Sequence, residues 1–415
     1  MLWILIGYMF LFIHRPFEIW PTLGDMHVER IYMLGTLAVA LVASKRWLPN
    51  LQHAAHLTFA AAVLVCWIAS PWADQGQQLV EDYFKILVFY LLLVSLVSDE
   101  RGLERLVLAF LAIMFIYMSH SLWEYLHGRH TYRMGIARMI GVDRSLGDPN
   151  SFGASIVYAL PFIVPFWIHR PSRLMRAFLI GYVGLSFLCI GLTGSRSSFI
   201  GLVLLALILV LRSRWRWRLL GLSVVAAPLL FAALPPSLQN RFETIINPDA
   251  GPAVAQGSAM SRLEGLEKGL QQWARSPITG CGPGAFRPAT GSSLESHNLY
   301  GELLGEMGSL GAVAFLGVLA AYALNLRRVW RAYSQHPEWG RDFLYEVSIA
   351  IAIALFMLLF EGNFGHNLFR FTWLWNGGFL IIIWHCLQER IKSAALSRRA
   401  CTPWSWRREI GRAHV

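Results

Sequence analysis

Charged residues are scarce in this chain. They make up 15% of its 415 residues, whereas soluble globular proteins carry about 25%. That scarcity excludes an ordinary cytosolic enzyme. In place of charge the chain has 55% hydrophobic residues, a mean hydropathy of +0.47 and apolar runs that repeatedly reach the length of a bilayer span. The composition therefore predicts a polytopic membrane protein.

Cysteine and metal-binding motifs are also sparse. The five cysteines show no CxxC spacing, and the chain has no DxD motif. The sequence therefore gives no evidence for a disulfide framework, for a zinc site or for metal-bound nucleotide-sugar chemistry. The i,i+3 pairs His53/His56 and His127/His130 each lack a third ligand nearby. We expect neither a metal nor another cofactor.

Twelve apolar segments predict an all-α fold with about 12 transmembrane helices and a large outer loop that carries short helices. The first segment, Met1 to Ile13, lacks a basic start and a cleavage site, so we expect it to be retained. The other eleven lie near 30–44, 55–71, 79–97, 103–123, 153–168, 174–192, 198–211, 217–234, 299–325, 345–360 and 370–388.

These segments divide the chain into four parts. We expect helices 1 to 9 at 1–234 with an outer loop at about 124–152, a cap loop at 235–298, helices 10 to 12 at 299–388 and a basic tail at 389–415. An even number of spans puts both termini on one side, and most basic residues fall inside if that side is the cytoplasm. The net charge of +11 thus reflects membrane orientation rather than nucleic-acid binding.

One polar turn between two spans carries a cation on the outer side. It reads Thr193-Gly-Ser-Arg-Ser-Ser198 and places Arg196 directly ahead of the next helix. Free N–H groups at a helix N-terminus favour anions, and a guanidinium matches phosphate oxygens. The turn therefore predicts a diphosphate site, the alternative being an interfacial anchor.

A histidine begins the first span after the cap loop. Ser296 is a natural N-cap, which would place His297 in the first turn of the helix. The positive helix terminus disfavours a charged imidazole, so His297 would stay neutral and could accept a proton. The alternative is a hydrogen-bonded interfacial histidine.

Further polar residues are predicted to bind substrate around the same outer face. Arg262 opens a helix predicted over Ser261 to Ala274, Arg287 flanks the Gly/Pro loop 276–286, and Arg144 precedes the Gly147-Asp-Pro-Asn150 turn. Taken alone, Arg262 and Arg287 are each more typical of a solvated charge than of a binding residue. For Arg144, contact with anionic headgroups is as good an interpretation as substrate binding.

Two more sequence features supply the remaining predicted substrate-binding residues. Asn298 and Glu302 lie in the helix that follows His297, where Glu302 and Glu306 share one face and need partners or water. The turn 361–370 brings His366 and an arginine to the outer side.

Together these motifs resemble the O-antigen ligase and polymerase superfamily of bacterial inner-membrane proteins. The resemblance is carried by the GSRSS turn, the SPITGCGPGAF stretch and SHNLYGELLGEMGSLGAV, in that order. It implies a GT-C-like membrane glycosyltransferase that takes its glycan from undecaprenyl diphosphate. It also implies that Arg196 and Arg262 hold the diphosphate, that His297 acts on the acceptor hydroxyl, and that no metal is needed.

Within that superfamily we expect a ligase that acts on the periplasmic side of the inner membrane, with both termini in the cytoplasm. The basic outer face suits a phosphorylated lipid A-core acceptor, and membrane lipids are the other expected partners. A polymerase is the close alternative. A flippase or other transporter would instead use Lys85, Glu302 and Glu306 along its path.

Overall fold

The structure is a computed structural model. It describes residues 1–42, 47–133, 136–143, 147–232, 236–243 and 253–400. Most of these residues are helical, and they also include one small β-hairpin. In chain order the helices are α1 (Leu2–His14), α2 (Pro16–Ile19), α3 (Pro21–Asp25), α4 (Val28–Val42), α5 (Leu51–Ile68), α6 (Ala73–Leu96), α7 (Glu100–Leu126), α8 (Pro149–Ala159), α9 (Ile163–His169), α10 (Arg173–Thr193), α11 (Arg196–Arg212), α12 (Arg216–Ala232), α13 (Pro236–Glu243), α14 (Ala253–Arg275), α15 (Phe286–Thr290), α16 (Leu299–Gln335), α17 (Phe343–Glu361) and α18 (Phe371–Ala400).

The predicted all-α polytopic fold is confirmed. Every one of the twelve apolar segments coincides with a helix, and the segment near 153–168 is divided between α8 and α9. Among the described residues, seven helical stretches are long and apolar enough to cross a membrane by length and composition. The expected number of about 12 spans stays a prediction.

The longest helix, α16, is broken near its start. It has 37 residues, and at about 1.5 Å per residue it would extend about 55 Å, well beyond the hydrocarbon core of about 30 Å. The break lies at Gly308, whose φ of 59° and ψ of −160° are not helical. The sequence predicts one continuous span from residue 299, whereas the structure separates a short first segment that carries Glu302 and Glu306.

The Gly/Pro loop 276–286 crosses α16 at this break. The Ser309 amide donates to the Pro277 carbonyl at 2.8 Å, and the Gly282 amide donates to the Glu306 carbonyl at 2.8 Å. A Cβ atom on Gly308 would lie 2.4 Å from the Ile278 carbonyl oxygen. The loop thus takes over backbone groups that the interrupted helix cannot pair itself.

The cap helix α14 packs on the first segment of α16. A Cβ atom on Gly269 would lie 2.4 Å from the Gly301 carbonyl oxygen, and one on Gly265 would lie 1.8 Å from the Ser296 carbonyl oxygen. Glycine therefore lets the two backbones approach closely. The sequence predicts this helix over Ser261 to Ala274, and the structure extends it backwards to Ala253.

The first outer segment contains strands that the sequence analysis does not anticipate. β1 (His130–Arg133) pairs antiparallel with β2 (Ile136–Met139). The second strand places Arg138 beside α10 and α8, where its guanidinium donates to the Thr193 carbonyl at 2.7 Å and to Asn150 Oδ1 at 3.0 Å. This buried arginine links the hairpin to the end of α10 and to the start of α8, which lines the site described below.

The i,i+3 histidines of α5 serve interhelical packing. The His53 ring hydrogen-bonds to the Leu48 carbonyl at 2.7 Å and to the Tyr90 hydroxyl at 2.9 Å. The His56 ring lies 3.2 Å from the Tyr322 hydroxyl. Both rings are buried, and these contacts satisfy polar atoms that would otherwise be costly inside the bundle.

Candidate active site

Four helices begin around one open cavity. The starts of α8, α11 and α16 and the residue before α18 all contribute side chains to its wall, among them Ser151, Ser197, His297 and Arg370. The first N–H groups of a helix carry partial positive charge, so helix starts gathered in one place favour an anion. The helix starts therefore add a positive field to a cavity that also holds the carboxylates of Asp148 and Glu361.

Two histidines face each other across this cavity. His297 Nδ1 and His366 Nδ1 are 3.3 Å apart, and their ring centroids are separated by 5.2 Å. The sequence analysis selects both residues but gives no reason to place them together, since 69 positions separate them. Their contact is the central feature of the cavity.

The backbone at His297 is unusual. Its φ of 46° lies in the left-handed region, which is uncommon for a residue with a side chain. Such conformations cluster at functional sites because the surrounding structure must hold them. The predicted N-cap is wrong here: Asn298, not Ser296, caps α16, and its Oδ1 accepts from the Tyr300 and Gly301 amides. His297 therefore precedes the helix rather than lying in its first turn.

The His366 ring is open to the cavity, yet the protein around it still shifts its titration. Desolvation by the surrounding atoms lowers the pKa of His366, and the neighbouring His297 ring and Arg370 lower it further. The Asp148 carboxylate acts in the opposite direction. The balance favours a neutral imidazole at His366 near neutral pH.

Arg370 is a buried cation at the base of the cavity. Its guanidinium donates to the Ser155 hydroxyl at 2.7 Å and to the Ser151 carbonyl at 3.2 Å. Its Cζ atom lies 6.0 Å from the centre of the Tyr158 ring. Because only 6% of its surface is exposed, its charge is poorly screened by water and acts strongly on groups in the cavity.

The arginines predicted to hold a diphosphate lie at the edge of the same region. Arg196 is the first residue of α11, as the sequence predicts, and the Ser195 side chain caps that helix by accepting from the Ser198 amide. The next residue, Ser197, lines the cavity. The Arg262 guanidinium from α14 lies 5.3 Å from the centre of the Phe364 ring, and Phe364 also lines the cavity.

Two other predicted substrate-binding residues hold the backbone around the site. Asn298 caps α16 and also reaches the Asn363 carbonyl at 3.5 Å. Glu302 is buried, and its carboxylate accepts from the Leu368 amide at 3.3 Å. These contacts tie the loop 362–370, which carries His366, to the first segment of α16.

Of the remaining two predicted residues, Arg287 lies outside this cavity. Arg287 borders a separate polar groove together with Gln75, Ser292 and Glu295. Burial raises the pKa of Glu295, while Arg287 opposes that change; the Arg287 Nε atom lies 4.0 Å from the carboxylate. Arg144 lies outside the described residues. The substrate-binding roles of all these residues stay predictions.

Some cavity residues escape the sequence analysis. Asp148 is treated there only as part of a turn, although an aspartate followed by proline is also typical of a helix start. The structure shows that Asp148 caps α8, accepting from the Asn150 and Ser151 amides. Tyr158 lies inside an apolar segment and leaves no signal in the sequence.

The described part of the chain brings together no group of three or more His, Cys, Asp or Glu side chains that could hold a metal ion. The described residues that line the cavity include two imidazoles, the Arg370 guanidinium and the carboxylates of Asp148 and Glu361, and helix starts surround them. Such groups can transfer protons and stabilise an anion.

The sequence of the region around the site matches a known family. Residues 181–316 match the family model described as O-antigen ligase. This stretch, about a third of the chain, is therefore similar to the O-antigen ligase family. That family consists of membrane glycosyltransferase-like ligases and polymerases. The O-antigen ligase match includes Arg196, Arg262 and His297, whereas Asp148, His366 and Arg370 lie outside it. No curated protein matches the chain significantly.

Proposed function

We propose that this protein is a membrane glycosyltransferase of the O-antigen ligase type. It transfers a glycan from undecaprenyl diphosphate to a sugar hydroxyl of lipid A-core, at the periplasmic face of the bacterial inner membrane and without a metal. Its termini lie in the cytoplasm. The observation that carries the proposal is the position of His297 in a cavity surrounded by helix starts.

The reaction needs a base for the acceptor and an anion site for the leaving group. His297 takes the proton from the attacking hydroxyl as its oxygen bonds to the anomeric carbon. The bond between that carbon and the diphosphate breaks, and its electron pair leaves with the lipid diphosphate. A single displacement of this kind inverts the anomeric centre.

Cations around the cavity stabilise the departing diphosphate. Arg196 and Arg262 bind it, and the helix starts that line the cavity add partial positive charge. Arg370 adds a buried charge to the same cavity. Preorganised donors of this kind can fill the electrostatic role that a metal ion has in other transferases.

A transporter would depend on Lys85, Glu302 and Glu306, and each of these residues is engaged in other contacts. Lys85 contacts Asp82 at 2.9 Å and Glu29 at 3.5 Å. Glu302 and Glu306 accept from the Leu368 and Gly284 amides. Groups held by such contacts are suited to fixing the structure rather than to lining a path.

Complementation tests the proposal. A Gram-negative strain lacking its own ligase would receive the wild type, His297→Asn or Arg196→Ala, and its lipopolysaccharide would be separated on a gel. We expect the wild type to restore long chains and both variants to leave unextended lipid A-core. His127→Asn and Arg214→Ala are matched controls at exposed positions and should behave as wild type.

A second strain distinguishes the ligase from the polymerase. In a strain that lacks only its polymerase, a ligase leaves single repeats on the core, whereas a polymerase restores the ladder. Restoration in this strain alone would replace the ligase assignment with that of a polymerase. Full activity of His297→Asn in either strain would overturn the role of His297.

A further inference from the structure

Asn150 lies where the starts of α8 and α11 meet, and three of its polar groups are held by the protein. Its amide N–H donates to Asp148 Oδ1 at 3.0 Å, and its carbonyl accepts from the Ser198 hydroxyl at 3.3 Å. Its side-chain oxygen accepts from the Arg138 guanidinium at 3.0 Å. A Cβ atom on Gly153 would lie 2.5 Å from Ser198 Oγ, so the two helices are in close contact here. Asn150 is therefore fixed relative to both helices before any ligand binds.

Arg138 decides which way the side-chain amide of Asn150 is turned. A guanidinium has donors but no acceptor, so Oδ1 and not Nδ2 must face Arg138. This contact assigns the amide on chemical grounds, as the hydrogen-bond network must for any asparagine. Arg138 is itself held, because it is only 2% exposed and also donates to the Thr193 carbonyl at 2.7 Å. The Nδ2 group is thus kept on the side of the amide away from Arg138.

Nδ2 is the polar group of Asn150 that remains for a ligand. Within the described part of the chain no hydrogen bond engages Nδ2, and the atom is not enclosed by the protein. Asn150 lines the cavity that also contains His297. A fixed amide donor beside a cavity is suited to orient a ligand through one of its oxygen atoms.

The neighbours of Asn150 indicate which kind of oxygen this is. α11 begins at Arg196, the residue proposed to bind the diphosphate, and Ser197 lines the same cavity as Asn150. A phosphate oxygen only accepts hydrogen bonds, so it needs donors such as Nδ2, a guanidinium and the N–H groups of a helix start. The carboxylates of Asp148 and Glu361 in this cavity can only accept, and they suit sugar hydroxyls instead.

We propose that Asn150 binds the diphosphate of the glycan donor through Nδ2, and that Arg138 is the positioning residue that turns this group toward the cavity. Nδ2 adds a directed hydrogen bond beside the charge of Arg196 without adding a charge of its own. Both residues lie outside the stretch 181–316 that is similar to the O-antigen ligase family, so that similarity assigns them no role. The inference rests on the proposed function.

Asn150→Asp tests the proposal in the purified full-length protein. Aspartate keeps an oxygen for Arg138 and suits the first turn of a helix, whereas it replaces the Nδ2 donor with an anionic oxygen. The probe is undecaprenyl diphosphate, and undecaprenol, which has no phosphate, is the comparison. We expect the affinity for undecaprenyl diphosphate to fall about 10- to 100-fold and the affinity for undecaprenol to stay unchanged. Gln335→Glu makes the same change of amide to carboxylate at the exposed end of α16 and should bind both lipids as the wild type does.

Thermal unfolding separates loss of the donor from loss of the fold. The unfolding midpoint of Asn150→Asp should not fall, because the new carboxylate pairs with Arg138; a marked fall would contradict that contact. Asn150→Ala removes the donor without adding a charge and should weaken undecaprenyl diphosphate binding about 10-fold. Unchanged binding of undecaprenyl diphosphate in both variants would overturn the proposal. An equal loss for undecaprenol would also overturn it, since the effect would then not concern the phosphates.

Arg138→Met tests the positioning role. If Arg138 acts through Asn150, this substitution weakens undecaprenyl diphosphate binding in the wild type and adds little in Asn150→Ala. An arginine that only supports the fold would cost the same in both backgrounds. Equal costs would therefore overturn its positioning role.

The transfer assay distinguishes this inference from the proposed function. Asn150→Asp should raise KM for the undecaprenyl diphosphate donor and leave KM for lipid A-core unchanged. The reverse result would overturn the inference by assigning Asn150 to the acceptor. Binding of undecaprenyl diphosphate requires no transfer, so its dependence on Asn150 can be measured even if the wild type transfers no glycan. Inactivity of the wild type would count against the proposed function alone.

Discussion

The Glu306 carboxylate accepts a hydrogen bond from the Gly284 amide at 2.8 Å. This contact joins the first segment of α16 to the Gly/Pro loop that crosses it. Both partners lie next to the break at Gly308, where backbone groups lose their helical partners. The side chain that the sequence suggested for a transport path therefore has a structural role beside the site.

Replacing Glu306 tests that role. We expect Glu306→Ala to lower stability by about 1–3 kcal/mol, because the partly buried Gly284 amide loses its acceptor. Glu306→Gln retains an acceptor oxygen and should cost less. Thermal unfolding of the purified protein measures both. Glu264→Ala is the control, since Glu264 is exposed and its pair with Lys268 contributes little. An equal loss in the Ala and Gln variants would contradict the acceptor role.

The left-handed backbone at His297 predicts a separation of stability from activity. We expect His297→Gly to abolish transfer yet raise the unfolding midpoint by a few degrees, because glycine adopts φ of 46° without strain. His297→Asn should be inactive with nearly unchanged stability, as asparagine also tolerates this region. Thermal unfolding and the transfer assay check the two effects. A marked loss of stability in His297→Gly would show that the histidine ring holds this backbone in place.

Close approach of α14 and α16 predicts that the cap depends on glycine. We expect Gly269→Val to destabilise the protein and expose the cap to proteolysis, because a Cβ there meets the Gly301 backbone. Gly317→Ala lies in α16 with open space around its Cβ position and serves as the control; it should be neutral or slightly stabilising. Limited proteolysis of membranes compares them. Equal cleavage of the cap in both variants would contradict the packing.

Acid should weaken the fold through His366. Its pKa is lowered in the folded protein, so the unfolded chain binds this proton first as the pH falls. The stability that neutral His366 contributes is therefore complete above its ordinary pKa of about 6.5 and declines below it. We expect the unfolding midpoint to fall less between pH 7 and pH 5 in His366→Gln than in the wild type. A greater fall in the variant would reverse the sign of the argument.

Several local features of the site could be predicted from the sequence. The start of α11 at Arg196 follows from Ser195, a residue type that caps helices, and the cap helix follows from apolar residues at helical spacing. The N-cap predicted for α16 lies two residues too early. Ser296 and Asn298 are both residue types that cap helices, and only the path of the chain selects between them. The hairpin β1 and β2 also depends on its neighbours, since short strands of this composition carry little signal.

The sequence by itself determined that this protein lies in a bilayer and which of its segments form helices. Low charge and long apolar runs require helices that satisfy their backbone inside a bilayer, and the motifs near Arg196 and His297 point to anion binding and proton transfer. Only the tertiary structure decided that His366 faces His297, that Asp148 and Arg370 join them, and that Arg287 lies in another groove. The physical reason is that lipid and neighbouring helices are equally apolar, so hydrophobic patterning alone cannot specify which helices pack together.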